Sequence, residues 1–373
     1  MPARDRVGVV LAAGGARGAY EAGAMAVLGP ALAARGEWPA VFTGASVGAI
    51  NAVTLAGLTH LDPEERANEG IARWREVVRP NVFRSLLVQA PSLMLRYARD
   101  LVAPGAGRLN ALLDPSPLGR QLAHWVDWQR LHELTADGRV HAAAAVCAGA
   151  YSGRCTAFWE GRAVPAGHGA IAYVRTRLDV PHLRAASAIP VLFPAVRLGE
   201  PAAGGWFVDG ATRLADPARP AVDLGAGRLV LIATGAPETG SGRSDDDGPM
   251  PSVADTAATL LHAVAVDPLI ARIRQLREDR SSPPHIAVAP ERAGAIGRVA
   301  TEILDRNYRS VRGLTRANLA LIDRLAGGES PLHGELISFL LFDRDFIDEL
   351  VLMGRSDAQR WLDAHPDLWA ASA

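Results

Sequence analysis

The stretch VGVVLAAGGARGAYEAGAMAVLGPALAARGEWPAVFTGASVGAINAVTLAGL, residues Val7 to Leu58, carries the pattern on which the fold turns. Val7–Ala13 is an apolar run that reads as a buried strand. Gly14–Gly18 reads as a glycine-rich turn, Ala19–Ala34 as a helix, Ala40–Thr43 as a second strand and Val47–Leu58 as a second helix. Strand–helix–strand–helix with short connections implies parallel strands covered on both faces. Two strands joined by one helix can lie side by side, so their C-terminal ends share one edge of the sheet.

At the end of the second strand stands Gly44-Ala45-Ser46-Val47-Gly48. A G-x-S-x-G between a strand and a helix reads as a nucleophile elbow. The turn is sharp enough that the backbone crowds itself, and Gly44 and Gly48 relieve the clash. The Ser46 hydroxyl is then held at a strand tip, near the N–H groups that open the next helix. In α/β-hydrolases with a Ser-His-Asp triad the elbow follows several strands; here one strand and one helix precede it. Such a triad also needs a histidine after the acid, and His262, His285, His333 and His365 are available. None stands in a loop that the pattern links to Ser46.

Two further features belong to the same chemistry. Gly14, Gly15 and Ala16 have small or absent side chains, so their backbone N–H groups can approach a substrate closely. One such donor aimed at a developing oxyanion is worth roughly 2.7–4 kcal/mol. Asp209-Gly210-Ala211 follows the apolar Trp206-Phe207-Val208 and reads as a strand end delivering a carboxylate into a turn. Asp137-Gly138 reads as a simple turn, and Asp247-Gly248 lies in a solvated acidic loop. A glycine turn after the first strand also fits a dinucleotide-binding protein. The first fingerprint glycine is missing, however, and the second strand ends in Phe42-Thr43-Gly44, with no acid for a ribose.

Composition narrows the classes. The chain has 373 residues, 49% hydrophobic and 21% charged, with net charge −1. It is globular, and no basic excess points to nucleic acid. It contains no lysine, which excludes a Schiff-base lysine, a pyridoxal phosphate anchor and a Walker-A lysine. Cys147 and Cys155 fit no zinc spacing and read as small, half-buried thiols. The apolar start is too short for a signal peptide, with Arg17 and Glu21 following at once, and no apolar run reaches about 18 residues. A cytoplasmic protein, or one peripheral to a membrane, is expected. Strands are expected at Val140–Ala148, Thr156–Trp159, Trp206–Val208, Leu229–Ala233 and His285–Ala289. Residues 60–135 read as mostly helical, and Val82–Val102 as either a lipid-facing lid or a plain buried helix. The C-terminal part, 252–373, reads as mostly helical, ending in two helices separated by Gly354.

Taken in order, Leu11–Tyr20 (LAAGGARGAY), Gly44–Gly48 (GASVG) and Asp209–Ala211 (DGA) resemble the patatin-like phospholipase family. Arg184–Val196 (RAASAIPVLFPAV) is similar to the family's segment upstream of the aspartate, and Phe342–Leu362 to its C-terminal ending. Two positions depart from the pattern: Ala13 replaces the first glycine of the oxyanion motif, and Asp216 replaces an asparagine before Pro217. The resemblance implies a three-layer αβα fold with a mainly parallel central sheet and a helical insertion, in one domain over 1–373 with its motif-bearing core at about 7–235. It implies a Ser46–Asp209 dyad without histidine and an oxyanion hole from Gly14, Gly15 and Ala16. Arg17, Gly18, Gly44, Gly48 and Gly210 support those motifs. It further implies a lipid or phospholipid substrate, transient contact with a membrane surface, and neither metal nor organic cofactor. A lipid-binding scaffold without turnover is the remaining alternative, and the intact Ser46 and Asp209 argue against it.

Overall fold

The computed structural model describes residues 6–83, 110–111, 113–166, 169–199, 201, 203–237, 250–279, 282–308 and 333–369. Residues 84–102 of the candidate lid and most of the acidic loop around Asp247 lie outside them.

The opening unit folds as its pattern implies. Strand β1 (Val7–Leu11) leads through a single 3-10 turn (Gly15–Arg17) into helix α1 (Gly18–Ala34); β2 (Pro39–Ala45) leads directly into α2 (Val47–Gly57). β1 and β2 are parallel neighbours, with Leu11 opposite Gly44. The sheet continues through β3 (Ala142–Gly149), β4 (Cys155–Gly161) and β5 (Ile171–Arg175) on one side, and β8 (Arg228–Ile232) and β9 (His285–Val288) on the other. β1, β2, β3, β8 and β9 are mutually parallel, and β4 runs against β3. β6 (Val196–Leu198) and β7 (Gly205–Asp209) form an antiparallel pair attached to the end of β3. The central strands are buried on both faces, which is why VGVVL and RLVLI are continuous apolar runs rather than alternating ones. The fold is therefore mixed α/β, a mostly parallel sheet flanked by helices.

Helix α3 (Pro63–Arg75) and the helices Ser116–Trp125 and Trp128–Asp137 separate α2 from β3. Among the described residues no single helix is long and apolar enough to cross a membrane.

Asp209 ends β7 and leads into a 3-10 turn, as expected. Three expectations change. β5 and β6 have no expected counterpart. Both cysteines are buried rather than half-buried. Gly354 does not separate two helices: one helix runs from Arg344 to Ala364 through it. The glycine is needed for a crossing, since a Cβ there would lie 2.0 Å from the Tyr20 carbonyl oxygen of α1, and one on Gly23 2.2 Å from that of Val351. A glycine inside a helix lets two backbones touch, and its helix-weakening tendency is outweighed by that contact.

Candidate active site

The register of β3 builds the site. β2 pairs with β3 as far as Ala45 opposite Val146, then leaves the sheet at Ser46. β7 arrives from the opposite direction on the edge β2 has vacated, with Asp209 opposite Cys147. Two strands thus meet end to end along one neighbour, and their last residues are brought together. The Ser46 hydroxyl is brought beside the Asp209 carboxyl, where it pulls that carboxyl's value down. Both residues are buried, at 4% and 3% exposure.

The elbow is sterically compulsory. Ser46 has φ 55° and ψ −133°, a region that non-glycine residues seldom enter. A Cβ on Gly44 would lie 2.2 Å from the Gly48 carbonyl carbon, and one on Gly48 2.3 Å from the Leu11 oxygen. Gly210, after the aspartate, is equally confined: its Cβ would meet the Val146 oxygen at 2.2 Å. Asp209 is fixed by the Ala211 N–H, which donates to Oδ1 at 2.9 Å. Burial pushes its carboxyl up to about 7, against the pull of the Ser46 hydroxyl and the Ala211 N–H.

Sequence reasoning singled out Arg184–Val196 only by resemblance; the fold gives it a task. The Ser46 N–H donates to the Ala186 carbonyl at 3.0 Å and the Asp209 N–H to that of Ala188 at 2.9 Å. One short segment therefore holds both residues at once.

The glycine turn lies beside the elbow, as the βαβ unit requires. Its donors are not equivalent. Ala16 N–H donates to the Phe339 carbonyl at 3.0 Å and Arg17 N–H to that of Gly14 at 3.2 Å. Of the three consecutive donors expected from the sequence, Ala16 is spent on the packing of the turn. Gly15 has φ 58°, and a Cβ on it would meet the same Phe339 oxygen at 2.2 Å.

Arg17 is a buried anchor, 1% exposed. It pairs with Glu335 at 2.5 Å, donates to Ser338 Oγ at 2.8 Å and lies over the Phe339 ring at 4.1 Å. Burial pushes the Glu335 carboxyl up, but bonds from His262 and the nearby Arg17 charge outweigh it and hold the group down at about 2. Because that is below the ordinary value of 4.5, the stability from this pair is complete above pH 4.5 and is lost as pH falls toward 2. Arg17→Met is expected to cost about 3 kcal/mol in urea denaturation at pH 7, since it strands a buried carboxylate. A loss below about 1 kcal/mol would show that Arg17 does not anchor the turn.

Glu21 was read only as a polar residue ending the first apolar run. It is fully buried and accepts from Asn51 Nδ2 at 2.7 Å and from the Ala12 N–H. Asn51 also donates to the Gly18 carbonyl at 2.9 Å and accepts from Trp74 Nε1 at 3.0 Å. Burial raises the Glu21 carboxyl well above its ordinary value, and the residue ties α1 to α2 behind the site. A lone Glu and Asn on apolar helices were the available signal.

The candidate triad histidines are engaged elsewhere. His262 pairs with Glu335 at 2.7 Å, His285 bonds the Pro283 carbonyl and His365 stacks on Trp361. His333 is buried at the start of the His333–Ser338 helix.

A family model described as Patatin-like phospholipase matches residues 9–222, a span containing Ser46, Asp209 and the glycine turn. No curated protein matches the chain. Among solved structures, VipD from Legionella pneumophila aligns at 12% identity over 97% of this chain and 67% of that one, with a TM-score of 0.33.

Proposed function

The chain belongs to the patatin-like phospholipase family, and from that premise we propose that it cleaves acyl esters of lipids or phospholipids through Ser46 and Asp209. The observation that carries the reading is the meeting of these two buried residues where β2 and β7 end against β3. Asp209 takes the proton from Ser46 Oγ as that oxygen attacks the ester carbonyl. The Gly14 and Gly15 N–H groups receive the oxyanion of the tetrahedral intermediate. The intermediate collapses with loss of the alcohol, which Asp209 protonates, and leaves an acyl group on Ser46. Water attacks that acyl group with Asp209 again as base, releasing the fatty acid and restoring the serine.

A carboxylate with its ordinary value is a weak base near neutrality. Burial answers that difficulty, since a value of about 7 matches the base to the working pH. The substrate reaches the site from the sheet edge where the parallel strands end, the side on which α/β folds place ligands.

A fluorophosphonate probe is expected to label the protein once, on the peptide bearing Ser46, and to leave Ser46→Ala unlabelled and inactive on fatty-acyl esters. Labelling at another residue, or turnover retained by Ser46→Ala, would refute the assignment.

A further inference from the structure

Beside the site, two loops and strand β7 each expose an apolar side chain. Val191 is 71% exposed, Tyr151 91% and Trp206 46%. Exposed large apolar residues are common singly; their convergence on one edge calls for a partner. The convergence is fixed by backbone contacts. The Ala150 N–H donates to the Trp206 carbonyl at 2.8 Å, so the β3–β4 turn carrying Tyr151 abuts β7. The chain touches β7 at Asp209 through Ala188 and again at Phe207 through Val196; between them Phe193 enters the core while Pro190 and Val191 are exposed. Val191 has φ 71°. A β-branched residue rarely adopts that conformation, and a strained, exposed valine gains nothing for the folded monomer.

Three arginines stand among these residues. Arg154, Arg197 and Arg213 are exposed and form no ion pair with a described acid. Arg197 is the cross-strand partner of Trp206, and the Arg213 guanidinium packs against Gly153 in the Tyr151 turn. Residues 149–154, 186–199 and 205–208 contain no Asp or Glu.

We propose that Tyr151, Val191 and Trp206, ringed by Arg154, Arg197 and Arg213, are the face by which the protein docks on a bilayer carrying anionic phospholipid. The choice of a bilayer as partner rests on the lipid acyl hydrolase reading. Tyr and Trp favour the headgroup boundary, a bare valine inserts below it, and arginines meet the negative surface. A bilayer seated there lies over the segment whose Ala186 and Ala188 carbonyls hold Ser46 and Asp209.

The test is sedimentation of the full chain with phosphatidylcholine vesicles, with and without phosphatidylserine. Hydrolysis of the vesicle lipid and of a water-soluble short-chain ester is followed in parallel. Tyr151→Ser/Val191→Asn/Trp206→Ser is expected to lower vesicle binding at least about tenfold, with vesicle hydrolysis falling in step. Turnover of the soluble ester is expected to stay within about twofold. Asn tolerates the left-handed backbone at 191, so the variant does not add strain. Arg154→Gln/Arg197→Gln is expected to lower binding only to phosphatidylserine vesicles, about fivefold per arginine. Unchanged sedimentation of the triple variant overturns the docking face. So does its loss of a concentration-dependent dimer with sedimentation intact, which assigns the face to a second copy. If the parent hydrolyses neither substrate, the hydrolase reading fails while sedimentation still decides the docking face.

Discussion

Asp209→Asn is expected to lower kcat/KM for ester hydrolysis by at least about 10³-fold, equivalent to about 4 kcal/mol of transition-state stabilisation. The amide keeps the size of the side chain, and its oxygen can still accept from the Ala211 N–H. It cannot take a proton from Ser46. Since His262, His285 and His365 are engaged elsewhere, they offer no replacement base. In the parent, kcat/KM is expected to climb about tenfold per pH unit and level off above about 7, where Asp209 has ionised. Stability moves the other way. The folded value lies above the ordinary 3.8, so the fold favours the protonated acid, and stability is lost as pH rises from about 4 through about 7. That cost is on the order of a few kcal/mol by pH 8. Asn does not ionise, so the variant should be inactive yet more heat-resistant than the parent at pH 8, with the advantage shrinking toward pH 5. Melting curves at the two pH values, beside initial rates, check both halves. Full activity in Asp209→Asn removes the carboxylate from the mechanism. A stability gap that does not depend on pH removes the claim that the folded site resists its charge.

The second large effect is structural. Gly48→Ala is expected to destabilise the fold by at least about 3 kcal/mol, or to prevent recovery of folded protein. The added methyl would lie 2.3 Å from the Leu11 oxygen and 2.5 Å from the Ala12 oxygen. Both are backbone atoms at the end of β1, so no side chain can swing away. The strand leading to the glycine turn and the helix behind Ser46 must separate. Gly70→Ala is the control: beyond its chain neighbours nothing lies within 4 Å of its added Cβ, and it stands inside α3. It should be neutral or gain up to about 1 kcal/mol from helix propensity. Circular dichroism melts and urea midpoints compare the two. Equal behaviour would mean that close approach of backbones does not set the need for glycine at the elbow.

The parts of the site legible in the sequence are those enforced by local sterics. Gly44 and Gly48 follow from a turn that has no room for side chains, and Gly15 from a backbone with positive φ. Such needs act within a few residues, so the residue types record them directly. The buried parallel strands were readable for a related reason: a strand covered on both faces has no polar position to interrupt it. β5 and β6 were missed because their exposure is mixed and β6 has only three residues. Arg17 was legible as a polar residue within the glycine turn and Glu21 as one just after it. Their burial was not, because their partners Asn51, Glu335, Ser338 and Phe339 come from other helices and the chain's far end. Ala16 is the clearest case. Its small side chain marked it as a donor to substrate, yet Phe339 takes its N–H, and nothing near residue 16 announces that acceptor.

By itself the sequence determined the opening strand–helix unit, the elbow at Ser46 and a short set of candidate acids, because each depends on neighbours in the chain. The resemblance also singled out Asp209 among them, but only the tertiary structure decided how that acid is brought to the serine. That approach depends on β2 leaving β3 at Ser46 and β7 taking up the same edge from the opposite direction, with Asp209 opposite Cys147. It depends also on two alanine carbonyls, at 186 and 188, that hold both strand ends. Backbone pairing carries no residue signature, since every non-proline residue offers the same N–H and C=O. The meeting of Ser46 and Asp209 is therefore a property of the assembled sheet.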